Sequence, residues 1–420
     1  MNRPPRQHSR RITLCLLMAA VLLLSGCGWT ARPANGAGSM AACIDAEGLT
    51  LCRLDDGSAE RLVSGRHLSS PAFSPDGRCL YYKNSSDVFC VSLNGGRPLL
   101  AAANADYVGD YDGRAVFLSQ TDGVTLYDPA SHASEQMIPQ PETGFIGTVS
   151  FSPDRLRTVY TICETDAGQT RLVSVCITVP GASEPDVYPA SQYPAGVTLR
   201  ALAWAPESSV CYMAAGASGA ETLKLYALSP VDGVMTPVGA SIPASAEVSI
   251  SGDGHILLSS GYASDADRYE SLLQVDLSTG KPTYLPGGYA PLAGLAASWD
   301  GSAAAYALNG SEPATQGIFI RTNEANSSDS TGKSAKTLLI SGGLCACPVF
   351  SRDGQTLYFL DTAGETFSLC RAPANSAGKE TLFTGIAAPD GVFCQTSRAA
   401  FCLYDTTASP SEKQAKSTGK

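Results

Sequence analysis

Between about residue 41 and residue 405 the chain is a succession of short apolar runs cut by small polar turns, with hardly a stretch of helical period. One unit sets the pattern. Pro71-Ala72-Phe73-Ser74-Pro75-Asp76-Gly77-Arg78-Cys79-Leu80-Tyr81-Tyr82 predicts strand, tight turn, strand. Pro75 presets φ at the second turn position, Asp76 tolerates the third, and Gly77 can take the left-handed conformation that closes the hairpin. Aligned on Gly77, the unit recurs at Tyr107–Phe117, Val149–Val159, Leu202–Tyr212, Val248–Leu258, Leu295–Ala305 and Pro348–Tyr358, with a worn eighth copy at Val392–Phe401.

Successive copies lie 36 to 53 residues apart, and blades of a β-propeller repeat at roughly 40–50 residues. Two further strand-like runs follow most copies, such as Val88–Ser92 and Arg97–Ala101 after the first. Four short strands per period make one blade. The second strand of each copy is apolar on both faces, as in Leu80-Tyr81-Tyr82 and Leu357-Tyr358-Phe359. A blade sandwiched between two neighbours buries both faces, which removes the usual polar/apolar alternation. The expectation is an all-β propeller of about eight four-stranded blades. Its ring closes by pairing residues 392–404 with about 42–63 in one sheet, because the last copy lacks outer strands and the first runs lack an inner one. Ala42–Asp45 and Ala399–Asp405 compete for the second position there.

The string from Phe73 to Tyr82 resembles the repeat of TolB-like propellers, and Val149–Val159 and Pro348–Tyr358 match it nearly as well. The resemblance covers most of residues 41–405 and implies the fold. It does not extend to the Tol-system role, since no α/β domain stands before the repeats, nor to prolyl-oligopeptidase-type enzymes, whose hydrolase domain has no counterpart.

Outside the repeats, residues 1–26 read as a bacterial signal peptide: Arg3, Arg6, Arg10 and Arg11 precede an apolar run from Ile12 to Leu24. Leu24-Ser25-Gly26-Cys27 resembles a lipobox, which implies cleavage before Cys27 and a diacylglyceryl group on its sulfur. Residues 27–40 would be a lipid-anchored flexible linker, 41–405 the propeller and 406–420 a disordered polar tail. The expected location is the bacterial cell envelope. That means the outer face of the cytoplasmic membrane, or the outer membrane where one exists.

Charge narrows the partners. The chain carries −10, and removing a leader with four arginines and no acid takes it to about −14. Nucleic acid, which needs basic patches, is not an expected partner. Of the 14 cysteines none pairs with Cys-x-x-Cys spacing, so no metal site is read from them. Cys43/Cys52, Cys79/Cys90 and Cys163/Cys176 each flank a hairpin. With two-residue turns at Glu47-Gly48, Asn84-Ser85 and Gln169-Thr170 each pair would stand directly opposed, as candidate disulfides or as small buried apolar residues.

No nucleophile elbow, His-Glu-x-x-His or phosphate loop is present. Asp110-Tyr111-Asp112-Gly113 and Asp265/Asp267 could assist a calcium ion, but Asp and Gly also suit a turn. No cofactor is expected. The chain reads as a non-catalytic platform for an unknown protein or glycan; the alternative is an envelope hydrolase or lyase with its site at the central channel. Binding is expected on the face of the second-to-third-strand hairpins and the blade-to-blade connections, where loops are long. The candidate contacts are Tyr193, Tyr262, Asp265, Asp267, Arg268, Tyr269 and Tyr289.

Overall fold

The computed structural model describes residues 39–166, 168–193, 197–217, 220–244, 246, 248–259, 272–284, 292–310, 316–322, 336–363, 366–387 and 401–405. These make eight four-stranded antiparallel sheets, the blades of a β-propeller with almost no helix. Blade 1 runs outward from the channel as Leu68–Phe73, Cys79–Asn84, Asp87–Ser92 and Leu99–Ala102. The first strands of blades 2 to 7 are Ala105–Tyr111, Phe145–Phe151, Val197–Trp204, Val248–Ile250, Leu292–Ala297 and Cys345–Phe350. The second strands are buried on both faces, as their composition predicts. Leu80, Tyr81 and Tyr82 are all buried, as are Leu357, Tyr358 and Phe359.

Both ends of the fold share blade 8. Its order outward is Phe401–Tyr404, Met40–Asp45, Gly48–Arg53 and Ala59–Ser64, with Cys43 opposite Phe401 and Met40 opposite Tyr404. Met40–Asp45 thus takes the second position. Phe401–Tyr404 is a first strand, where the eighth copy's alignment makes it a second. The two runs are equally short and apolar, and only the pairing with the N-terminal strands separates them. The rest of that copy, 392–400, lies outside the described residues. The seam is bolted on both sides. Asp405 accepts hydrogen bonds from the Ser39 hydroxyl (2.9 Å) and the Arg352 amide of blade 7 (2.5 Å). Tyr404 lies over Gly77 of blade 1, where a Cβ would come within 2.4 Å of the ring.

One clasp shapes the turns around the channel. Three residues before the aligned Gly77 position, five blades carry a buried serine: Ser74, Ser152, Ser251, Ser298 and Ser351. Each hydroxyl donates to the turn aspartate two residues on, at 2.5 to 2.9 Å. Each also accepts an amide from the start of the second strand, at 2.9 to 3.0 Å. The residue at the Gly77 position is left-handed in all seven described copies, including Arg155 (φ 61°) and Ser208 (φ 60°).

The three cysteine hairpins turn at other residues than their sequences suggest. Cys43 faces Thr50, because the strands pair Asp45 with Gly48 and turn at Ala46-Glu47. Cys79 faces Ser92, since the turn is at Ser85-Ser86. In both, the cysteine partner is one step along the diagonal, about 7–8 Å away at Cα, the limit for bridging without backbone movement. The Cys52 thiol hydrogen-bonds to Cys43 and, with burial, pushes its pKa up. Cys163 faces Leu172 while Cys176 faces Tyr160; their side chains enter different cores on opposite sides of the blade. The Asp45 carboxylate anchors the first of these turns. It accepts the amides of Glu47 and Gly48 and both terminal nitrogens of Arg61.

Two outcomes test this account. Replacing Ser298 with Ala strands a buried amide and should cost about 1–3 kcal/mol in denaturant unfolding. Peptide mapping without reduction should never return a Cys163–Cys176 crosslink.

Candidate functional site

The inner strands of blades 7, 8, 1 and 2 enclose a cavity of about 750 Å³ in the channel. Its walls are largely apolar: Phe73, Tyr107, Phe350, Phe401 and Tyr404 contribute rings and Val349 and Leu403 branched chains. It reaches the turn end of the channel, where Pro75, Arg352 and Asp405 stand. Trp299 of blade 6 lies flat against Gly252 of blade 5, where a Cβ would fall 2.1 Å from the ring. The Arg352 guanidinium covers the Trp299 ring, 5.4 Å from its centre. Gly252, Trp299 and Arg352 all occupy the Pro75 position of the repeat, so three adjacent turns interlock at the rim.

Asp110 is a half-buried carboxylate in this wall. It occupies the clasp-serine position of blade 2, opposite Ala115 as Ser74 stands opposite Cys79. The blade 2 turn does not need the clasp. Tyr111 pairs with Arg114, and Asp112 (φ 49°) and Gly113 (φ 76°) are both left-handed. That is the two-residue hairpin geometry whose twist suits antiparallel strands without side-chain help. The carboxylate is thereby released toward the interior. Burial pushes its pKa up to about 6, against the opposing effects of a hydrogen bond with Tyr107 and the charge of Arg155. Its Oδ1 atom is buried and has no hydrogen-bond partner among the described residues, and the same holds for the Tyr81 hydroxyl. Tyr81 stacks on Tyr107 with ring centres 5.6 Å apart, so the two orphaned atoms belong to one wedge between blades 1 and 2. Arg155 is engaged over Tyr111, 5.8 Å from the ring centre.

The loop residues expected to bind fare differently. Tyr262, Asp265, Asp267, Arg268, Tyr269 and Tyr289 lie outside the described residues. Tyr193 is buried, and its hydroxyl donates to the Gly233 carbonyl (3.2 Å). Its ring packs between blades 3 and 4 and is not presented to solvent. Asp110 was visible in the sequence only as half of a candidate calcium turn. The better signal is its departure from serine at an aligned position. Among the described residues no group of three or more His, Cys, Asp or Glu side chains could hold a metal ion.

No family model and no curated protein matches the chain. Solved structures do. Dihydro-heme d1 dehydrogenase NirN in complex with DHE is 15% identical, with 84% of this chain and 76% of that one covered and a TM-score of 0.51. An oligogalacturonate lyase in complex with manganese is 11% identical over 84% of this chain and 97% of that one, at TM-score 0.49. TolB from Acinetobacter baumannii is 14% identical over 97% of this chain and 72% of that one, at TM-score 0.37. At such identities the likeness is one of fold alone.

The raised carboxyl carries a sign that can be checked. A folded-state pKa near 6 against an ordinary 3.8 means that the folded chain holds this proton more tightly than the unfolded one. The favourable contribution is full below about pH 4 and is lost as pH rises through 6. Asp110→Asn should therefore stabilise the protein at pH 7.5 by about 1–2 kcal/mol, a figure reduced for the group's partial exposure. The gain should vanish near pH 4. Chemical denaturation at the two pH values measures it.

Proposed function

We propose that the protein is a non-catalytic binding module held in the bacterial envelope by a lipid on Cys27, and that its partner reaches into the channel cavity. The observation that carries this reading is the aromatic-walled cavity with a half-buried carboxylate on one side, whose Oδ1 atom is buried without a partner among the described residues. A concave apolar site with a few placed polar groups is the usual form of a binding site. The interlocked rim supports it: a stack of Gly252, Trp299 and Arg352 makes a rigid mouth, and a preorganised site loses little entropy on binding. The lipobox-like Leu24-Ser25-Gly26-Cys27 supports the anchor, and the chain's acidity disfavours nucleic acid as partner.

A second reading has one observation in its favour. A carboxyl near pKa 6 beside a tyrosine suits general acid–base work, so a hydrolase or lyase acting in the same cavity is the competitor. Steady turnover of an oligosaccharide, lost in Asp110→Asn, would select it.

Two measurements test the proposal. Cells fed labelled palmitate should incorporate it into the wild-type protein and not into Cys27→Ser. Purified lipid-bearing protein, crosslinked in its native membrane, should capture a partner that Ala72→Trp loses, because indole at position 72 fills the cavity. The melting temperature of that variant should stay within a few degrees of wild type. Undiminished capture by a folded Ala72→Trp protein would remove the cavity from the function.

A further inference from the structure

We propose that the channel cavity receives a lysine side chain of a partner protein, with its ammonium group on Asp110 and its aliphatic stem along Phe73, Tyr107 and Tyr404. This rests on the cavity being the binding site and names the chemistry of what enters it.

The first ground is what Asp110 does not do. Five sister blades spend the equivalent serine on the turn, each hydroxyl giving to the turn aspartate and taking a second-strand amide, whereas the left-handed pair Asp112-Gly113 closes the blade 2 turn alone. The repeat offers serine here at no electrostatic cost, yet the chain places a carboxylate and leaves Oδ1 without a partner among the described residues. A buried acceptor of this kind is expensive unless a donor arrives. The second ground is the lining itself: Asp110 and Tyr107 line the cavity together with Phe73 and Tyr404. The third is charge. Arg155 is stacked on Tyr111 and acts on Asp110 only through space, and the chain as a whole is at −10. A cation is the complementary visitor.

The walls choose the stem. The described lining offers rings and branched chains, and at its turn end the Arg352 guanidinium is engaged over Trp299 and the Asp405 carboxylate with Ser39 and the Arg352 amide. Ser74 is consumed by its clasp. The ring hydroxyls of an amino sugar would have to be desolvated against Phe73, Phe350 and Phe401. Four methylenes of a lysine lose nothing there. The ring faces also favour an ammonium over a neutral end group.

The groups facing Asp110 are Tyr81 and Asp76 from blade 1, Tyr107 on its own strand and Arg155 from blade 3. Asp110 changes charge near pH 6, while a lysine stays charged throughout. Affinity should therefore fall about tenfold as pH drops from 7.5 to 5.

The experiment is calorimetry or ligand-observed NMR on the whole folded protein, with N-acetyl-lysine methylamide, its norleucine counterpart, glucosamine and N-acetylglucosamine as probes. The lysine probe should bind, and norleucine should bind at least about tenfold more weakly. Asp110→Asn and Asp110→Ser, the latter restoring the repeat's own residue, should each lower affinity for the lysine probe about tenfold or more. Both variants keep the fold by the argument given above, and a melting curve checks it. Binding of glucosamine without the lysine probe would move the ammonium to a glycan and overturn the assignment. Equal binding by wild type and Asp110→Asn, or no binding of the lysine probe, would also overturn it. Capture of a native partner that still depends on position 72 would then leave the cavity reading intact, so the two failures are distinguishable.

Discussion

The buried serine clasp is the contact on which the ring depends. Inner strands of a propeller converge on the axis, and the turn that ends each of them must tuck its backbone under its neighbour. An amide buried there has no water and no ladder partner, so the serine oxygen has to take it. The same hydroxyl donates to the turn aspartate, whose Oδ1 in turn accepts the next amide, as with Arg78, Leu156, His255, Ser302 and Gln355. Two side chains thus satisfy two backbone donors and hold the left-handed residue in place. The hand-off continues between blades. Tyr111 donates to the Arg155 carbonyl, the Asp154 amide to Ser208, and the Asp253 amide to the Trp299 carbonyl. The turns form a collar in which each is braced by the next.

The seam sits beside the site, and the two are made of the same residues. Phe401–Tyr404 arrives from the C-terminal end of the fold and completes a blade begun by Met40–Asp45. Phe401, Leu403, Tyr404 and Asp405 then line the cavity. Closing the ring is therefore also building the site's wall, and a cavity of this shape exists only in the closed state. Packing alone holds much of this seam. Ala41, Cys43 and Phe401 share a continuous core with Phe350, Leu357 and Phe359 of blade 7, while Phe73 and Tyr404 meet at 5.6 Å on the blade 1 side.

The fold was legible because its determinants are local and repeated. A proline-preset turn, a left-handed glycine and an apolar second strand recur often enough that the period and the blade count follow. Register was less legible. A hairpin's centre can slip by one residue without offending its apolar pattern when both faces are buried, and Cys43 and Cys79 show that slip. The identity of the closing strand was ambiguous for a related reason: Val392–Gln395 and Phe401–Tyr404 are interchangeable as short apolar runs. Tyr193 carries the composition of a binding residue, yet its hydroxyl is taken by Gly233 and its ring by the blade 3–4 core.

In a repeat protein the informative residues are those that break the repeat at a position whose structural duty is known. Arg155 and Ser208 break it at the left-handed position and carry strain there that glycine would not. Each is then used: Arg155 covers Tyr111, and Ser208 accepts the Asp154 amide. Gly252, Trp299 and Arg352 break it at the Pro75 position in three consecutive blades, and only the glycine makes room for the indole. Asp110 breaks it at the clasp, where serine costs nothing, and leaves a carboxylate in a desolvating wall. Packing does not require that choice, because serine serves at this position in five other blades and alanine (Ala205) in a sixth. On the proposed reading, a charge kept where it opposes the fold would find its compensation in the donor that enters the cavity.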